Sequence, residues 1–426
     1  MIPRMVGGDI KQRILMRFIV PCLTVATILV TQAETRVDWM IDLPEPATDI
    51  EVCQDGSWMV LAVPTGIEIR STDDGDLIDK FDLPVAPRII ALSRDDEIAW
   101  VAYNAWRRIG PLVGGAIIYH PEEETDFTHT PLVSDSIVPQ FTVAFVEDFV
   151  LTGSETDALE VWSATSGQHL RTVSQENAST NGGIAYSQEQ GLVVFGGGSR
   201  GSATSAGVWN VSAFQLQTPI QTSNTYGLGS VAISPSGSLA ITGADQHALG
   251  NRFGMVEAWN LPKGSLQFSI PVQSEKFRFS NDGRLLVSLS FVDPPKSSTS
   301  RVDFWDATNG NRVSSVESLS ILALHFEDMA FSATDRHLFL TATRGTNKQE
   351  QIGRLIALTT PIIVNPVEIK DPWTLISWSG GLGPYVVEVK NSLKERWYRL
   401  GETTGHSWTA RLPNSQAFYR VRSLNP

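Results

Sequence analysis

Residues 230–264 read SVAISPSGSLAITGADQHALGNRFGMVEAWNLPKG, and this stretch decides the fold. Val231-Ala-Ile is a short strand, Ser234-Pro-Ser-Gly237 a turn, and Ser238–Gly243 a second strand. A polar loop, Asp245–Gly254, leads to Val256-Glu-Ala-Trp259 and the tight turn Leu261-Pro-Lys-Gly264. Apolar residues alternating about Ser-Gly and Asp-Gly turns are a hairpin signal. The same order recurs on both sides. Phe277-Arg-Phe-Ser-Asn-Asp-Gly283 precedes Val302-Asp-Phe-Trp305 and Ala307-Thr-Asn-Gly310, while Leu159-Glu-Val-Trp162 and Gly207-Val-Trp209 mark two earlier copies. The four tryptophans are 47, 50 and 46 residues apart. A unit of four short strands at that period cannot bury both its faces alone, so its copies must stack.

Laid over the whole chain, the template gives seven units with first strands near Asp49, Arg88, Phe141, Gly183, Ser230, Lys276 and Asp328. In the first two units the tryptophan position holds Arg70 and Tyr119. The reading is an all-β chain: a seven-bladed β-propeller over 34–360, followed by a small β-sandwich-like domain. The last unit lacks a clear outer strand. Val37-Asp-Trp-Met-Ile-Asp-Leu-Pro44 matches the first unit's outer strand, Leu77-Ile-Asp-Lys-Phe-Asp-Leu-Pro84, so residues 36–44 are expected to complete the last blade and spare it an exposed edge. Residues 361–366 read as a proline-bracketed linker, and 367–426 carry new alternating strands around Trp373, Trp378, Tyr385 and Phe418-Tyr-Arg-Val421.

The strand pattern with Trp162, Trp209, Trp259 and the Trp305-Asp306 pair resembles the WD40 and YVTN-type propeller families. The Gly-His dipeptide that opens most WD40 repeats is missing from every unit, so the resemblance is to divergent, bacterial-style members. Residues 367–426 resemble fibronectin type III-like modules. Together the two resemblances imply a repeat scaffold for protein binding, ending in a small docking module.

Arg4, Lys11, Arg13 and Arg17 precede an apolar run from Phe18 to Val30 and the small-residue site Thr31-Gln32-Ala33. Thirteen apolar residues are short for a membrane span and suit a secretory leader, so residues 1–33 are expected to be a signal peptide and the protein exported (periplasmic, cell-surface or extracellular). The chain beyond Ala33 has 29 basic and 45 acidic residues, a net charge of −16. Such a surface repels nucleic acid and anionic lipid, so neither is expected as a partner. Cys53 alone remains there, which excludes an internal disulfide.

Three motifs fail on context. Gly196-Gly-Gly-Ser-Arg-Gly201 fits Gly-x-Gly-x-x-Gly and, in part, a nucleophile elbow, but no helix follows to receive a phosphate or carry the elbow. Ser71-Thr-Asp-Asp-Gly-Asp76 falls on a strand-to-strand turn, where Asp and Gly serve the backbone. The seven histidines show no metal-ligand spacing. No cofactor and no metal are therefore expected.

Loop length is the asymmetry that points to function. The second-to-third connections are long in five units (104–115, 196–206, 245–254, 292–300 and 344–352), and long loops on a rigid scaffold commonly carry binding. They hold Trp106, Arg107, Arg108, Arg200, His247, Arg252, Lys296, Arg344 and Lys348, a basic and aromatic set on an acidic protein. The leading expectation is a non-enzymatic binding or scaffold protein that engages a protein or polysaccharide through this face. The alternative is a propeller enzyme, lactonase-like or quinoprotein-like, working at the central channel. Asp49, Glu51, Arg88, Lys276, Arg278 and Asp328 are the polar candidates there, and three or more of them converging would favour it.

Overall fold

The computed structural model describes residues 26–28, 35–102, 113–118, 128–131, 140–154, 158–174, 182–197, 205–223, 228–244, 255–291, 300–317, 325–344, 352–364, 368–370, 373–390, 396–411 and 417–424, apart from a few single positions. Strands and turns make up these residues, with no helix among them. The described residues divide into two compact units, one within 32–363 and 379–382, the other within 1–31, 364–378 and 383–426.

Among the described residues the larger unit is built of seven antiparallel sheets, six of four strands and the fourth of five, in which Gln215–Leu216 and Ile220–Gln221 both pair with Ser205–Asn210. The fifth is representative, with strands Leu228–Ile233, Leu239–Ala244, Val256–Asn260 and Ser265–Ile270. The seventh takes three strands from His325–Phe331, His337–Arg344 and Ile352–Thr359 and its fourth from Val37–Leu43, at the other end of the unit. Trp39 lies opposite Ala357 and Leu43 opposite Gly353. No sheet closes on itself. The first strand of each sheet packs beside the first strand of the next, and the seventh's packs beside the first's.

The core follows that neighbour order. Seven clusters of buried apolar side chains each draw on two consecutive sheets, including one shared by the seventh and the first. In Trp58–Val63 all six residues are buried, because alternate side chains face different neighbours: Val60 and Ala62 toward the second sheet, Met59, Leu61 and Val63 toward the seventh. The repeat tryptophans all face the preceding sheet, Trp162 the second, Trp209 the third, Trp259 the fourth and Trp305 the fifth. Three of them also donate their indole N–H to a buried hydroxyl on their own second strand: Trp162 to Thr152 (2.8 Å), Trp259 to Thr242 (3.0 Å) and Trp305 to Ser288 (2.9 Å).

The register confirms Arg70 at the tryptophan position of the first sheet, opposite Met59. In the second sheet Ile117, opposite Ile98, holds the equivalent place, and Tyr119, to which the sequence reading gave it, lies outside the described residues. Ser71–Asp76 is the tight turn between the strands Gly66–Ser71 and Leu77–Asp82.

In the smaller unit Tyr385–Lys390 pairs with Tyr398–Thr403 and Ala417–Ser423, and Trp373–Ser379 pairs with Glu368–Lys370 and Ser407–Arg411. Trp378 packs edge-on against Tyr385 at 5.3 Å, and the Tyr385 hydroxyl lies 2.9 Å from His406 Nε2. Ala26–Ile28, part of the expected leader, runs as a parallel strand beside Ala417–Tyr419; the rest of residues 1–33 lies outside the described residues.

Candidate functional site

The seven first strands surround a cavity of about 830 Å³. Their registers make positions equivalent, so the lining can be read as two rows. On four consecutive sheets the rows hold Ile89 and Ala91, Thr142 and Ala144, Gly183 and Ala185, Ser230 and Ala232. The other three are charged: Lys276 and Arg278 on the sixth sheet, Asp328 on the seventh, Asp49 and Glu51 on the first. The second-row residue of the seventh sheet, Ala330, is again alanine.

Two sets of ion pairs tie these residues together. Lys276 Nζ lies 3.0 Å from Asp328 Oδ1 and 3.6 Å from Asp49 Oδ1. Arg278, on the sixth sheet, donates to Glu51 on the first. The two aspartates also join neighbouring sheets. Asp49 Oδ2 accepts from the Ile90 N–H (2.7 Å) and Asp328 Oδ2 from the Ile50 N–H (3.4 Å). Their side chains are accordingly only 5% and 2% exposed, whereas those of Lys276 and Arg278 are each 36% exposed. Both cations line the cavity.

The enclosure drives two charges toward neutrality. Burial raises the Glu51 carboxyl above its ordinary range, Arg278 opposing and Asp49 adding to the shift. Burial also lowers Lys276, against the attraction of Asp49 and with Arg278 assisting. Arg278 shifts upward: burial works against its charge, and Glu51 and Asp49 outweigh it. His325, three residues before Asp328, is lowered by burial and by Lys276 despite Glu327, whose carboxylate is 3.8 Å away. The seventh sheet's register slips between Phe326 and Asp328, so Glu327 sits in a bulge just ahead of the lining position.

Five of the six channel candidates thus line one cavity. Arg88 does not; it is exposed and absent from the lining. Of the long-loop set, Trp106, Arg107, Arg108, Arg200, His247, Arg252, Lys296 and Lys348 lie outside the described residues, and Arg344 is described only in its backbone, paired with Ile352. Among the described residues no His, Cys, Asp and Glu side chains gather in a set able to hold a metal. The sequence carried the site in plain view, as the two exceptions to a row of alanines, but only the sheet registers fix which residues share a row.

No protein-family model matches the chain, and no curated protein matches it.

Proposed function

We propose that the larger unit is a seven-bladed β-propeller, the body of an exported binding protein, and that its ligand site is the cavity ringed by the first strands. The propeller reading is supported by the cyclic neighbour order of those strands and by the seven shared cores. The binding reading rests on one observation: five charged side chains from three adjacent sheets converge on a cavity whose other walls mix apolar residues such as Ile89, Ala144 and Ala185 with the polar Thr142, Ser230 and Glu189. Its volume falls in the range of small-molecule sites. This moves the proposed seat of binding from the long-loop set to the first strands. Lys276 pairs with Leu289 near the end of Leu285–Phe291, just before the long connection of that sheet.

A catalytic role for the same cavity is a second reading, favoured by the opposite shifts of Glu51 and Lys276. An acid and an amine both biased toward their neutral forms can exchange protons with a bound molecule.

The test is a thermal-shift screen of the full chain with small molecules of each charge class, beside Ala185→Phe, which fills the cavity from a sheet that takes no part in these ion pairs. Ligands that raise the melting temperature of the wild type and not of the filled variant support the site. Equal shifts in both move it elsewhere. Loss of partner capture on replacing Trp106, Arg107 and Arg108 by alanine would then return it to the long-loop face.

A further inference from the structure

We propose that the cavity recognises a small monocarboxylate with a compact apolar body, its carboxylate held by Lys276 and Arg278. The inference rests on the cavity being the binding site and adds the chemistry of the ligand.

Three features point to it. First, the cavity presents cations. Asp49 and Asp328 are turned into the wall, each with one oxygen on a backbone N–H of the next sheet and the other toward Lys276, while the Lys276 and Arg278 side chains are the most exposed of the cluster. An ammonium has three protons and a guanidinium five, arranged in a fork that matches a carboxylate. Second, the charge balance disfavours a dianion. Two cations and three acids meet here, so a dianion such as phosphate adds more repulsion than a monoanion does. Third, the other sheets offer Ile89, Ala91, Ala144, Ala185 and Ala232, small apolar surface for a compact hydrocarbon, with Glu189 as the one further charged residue of the lining.

The experiment is isothermal titration calorimetry of the full chain with benzoate and cyclohexanecarboxylate. Benzamide serves as the neutral counterpart, benzylammonium as the cation and inorganic phosphate as the dianion. Both carboxylates are expected to bind, and benzamide at least about tenfold more weakly, since it lacks the charge that the fork grips. Arg278→Gln should weaken benzoate by a similar factor. Because that change strands Glu51, the double variant Arg278→Gln with Glu51→Gln removes both members of the pair and should fold while still binding weakly. Ala185→Phe should abolish binding and leave the ion pairs in place.

Failure of both carboxylates to bind at millimolar concentration overturns the proposal. So does benzamide or benzylammonium binding as well as benzoate, or phosphate binding better. If those compounds lose affinity in Ala185→Phe, the cavity stands as the site and only the ligand class is wrong. Carboxylate binding unchanged in Ala185→Phe removes the cavity reading as well.

Discussion

A hydroxyl beneath each of three repeat tryptophans shows how one residue is made to fit a core. An indole brings a large apolar surface and one N–H that burial would strand, and Thr152, Thr242 and Ser288, each fully buried, accept it. The fourth sheet keeps Trp209, with Phe195 at the place of the hydroxyl. The first replaces the tryptophan by Arg70, whose Nε and Nη2 donate to Glu68 Oε2 at 2.9 and 2.7 Å and whose Nη1 donates to the Gly75 carbonyl at 2.9 Å. Thr242→Val keeps the shape and deletes the acceptor. It should cost about 1–3 kcal/mol in urea unfolding, the cost of leaving the Trp259 N–H unpaired in the core. A loss below 0.5 kcal/mol, about that of an ordinary surface change, would show that the bond does not matter. The tryptophan spacing was legible in the sequence. The hydroxyl was not, because it stands 10 residues from its tryptophan in one sheet and 17 in the others.

At the level of the element, the strand Val37–Leu43 has the most consequence for its length. It covers the edge of Ile352–Thr359, buries Leu43, and lays Trp39 and Ile41 against the core shared by the seventh and first sheets. Arg354, itself buried, donates to Asp42 at 2.7 Å across this edge. A chain lacking residues 34–44 should lose on the order of 3–5 kcal/mol and expose an unpaired strand that promotes aggregation. An unchanged melting temperature would rule out a structural role. This strand could be read from its likeness to Leu77–Pro84, since both end in a large apolar residue followed by Asp-Leu-Pro. Strand boundaries in the second sheet were less legible. Without an aromatic at the usual place, nothing in the sequence distinguishes Ile117 from Tyr119 as the repeat position.

Across the whole unit, neighbouring sheets are joined by carboxylates as well as by apolar cores. In the turns between first and second strands, Gly56, Gly237 and Gly283 occupy the left-handed position, and Asp96 and Asp335 take it in the second and seventh sheets at φ of 62° and 57°. There the aspartate reaches the preceding sheet. Asp96 accepts from the Gln54 N–H (3.0 Å), and Asp335 accepts from the Asn281 N–H (2.7 Å), its side-chain amide (2.9 Å) and the Asp282 N–H (2.9 Å). These contacts offset the unfavourable backbone. Burial outweighs the donors at Asp335 and pushes its carboxyl from 3.8 up to about 6. A raised folded-state value means that the folded protein holds this proton more tightly than the unfolded chain. The stability it contributes is complete below about pH 4 and is lost as pH rises through about 6. Between those limits the wild type should therefore weaken relative to Asp335→Asn by on the order of 2 kcal/mol, read from melting curves across that range. Parallel curves would refute this. That an aspartate stood where its sister turns have glycine was visible in the sequence; that it reaches into the next turn was not, because the contact joins residues 54 apart. The shared seventh sheet also sets a schedule. Asp42 and Arg354 are 312 residues apart, so at 5–20 residues per second roughly 15 s to a minute of synthesis separates one side of that sheet from the other. Six sheets can form as the nascent chain lengthens, while Val37–Leu43 waits with its hydrogen-bonding edge open until the last partner emerges. A chaperone that shields this segment during that interval would raise the yield of folded protein more than one acting on any strand made later.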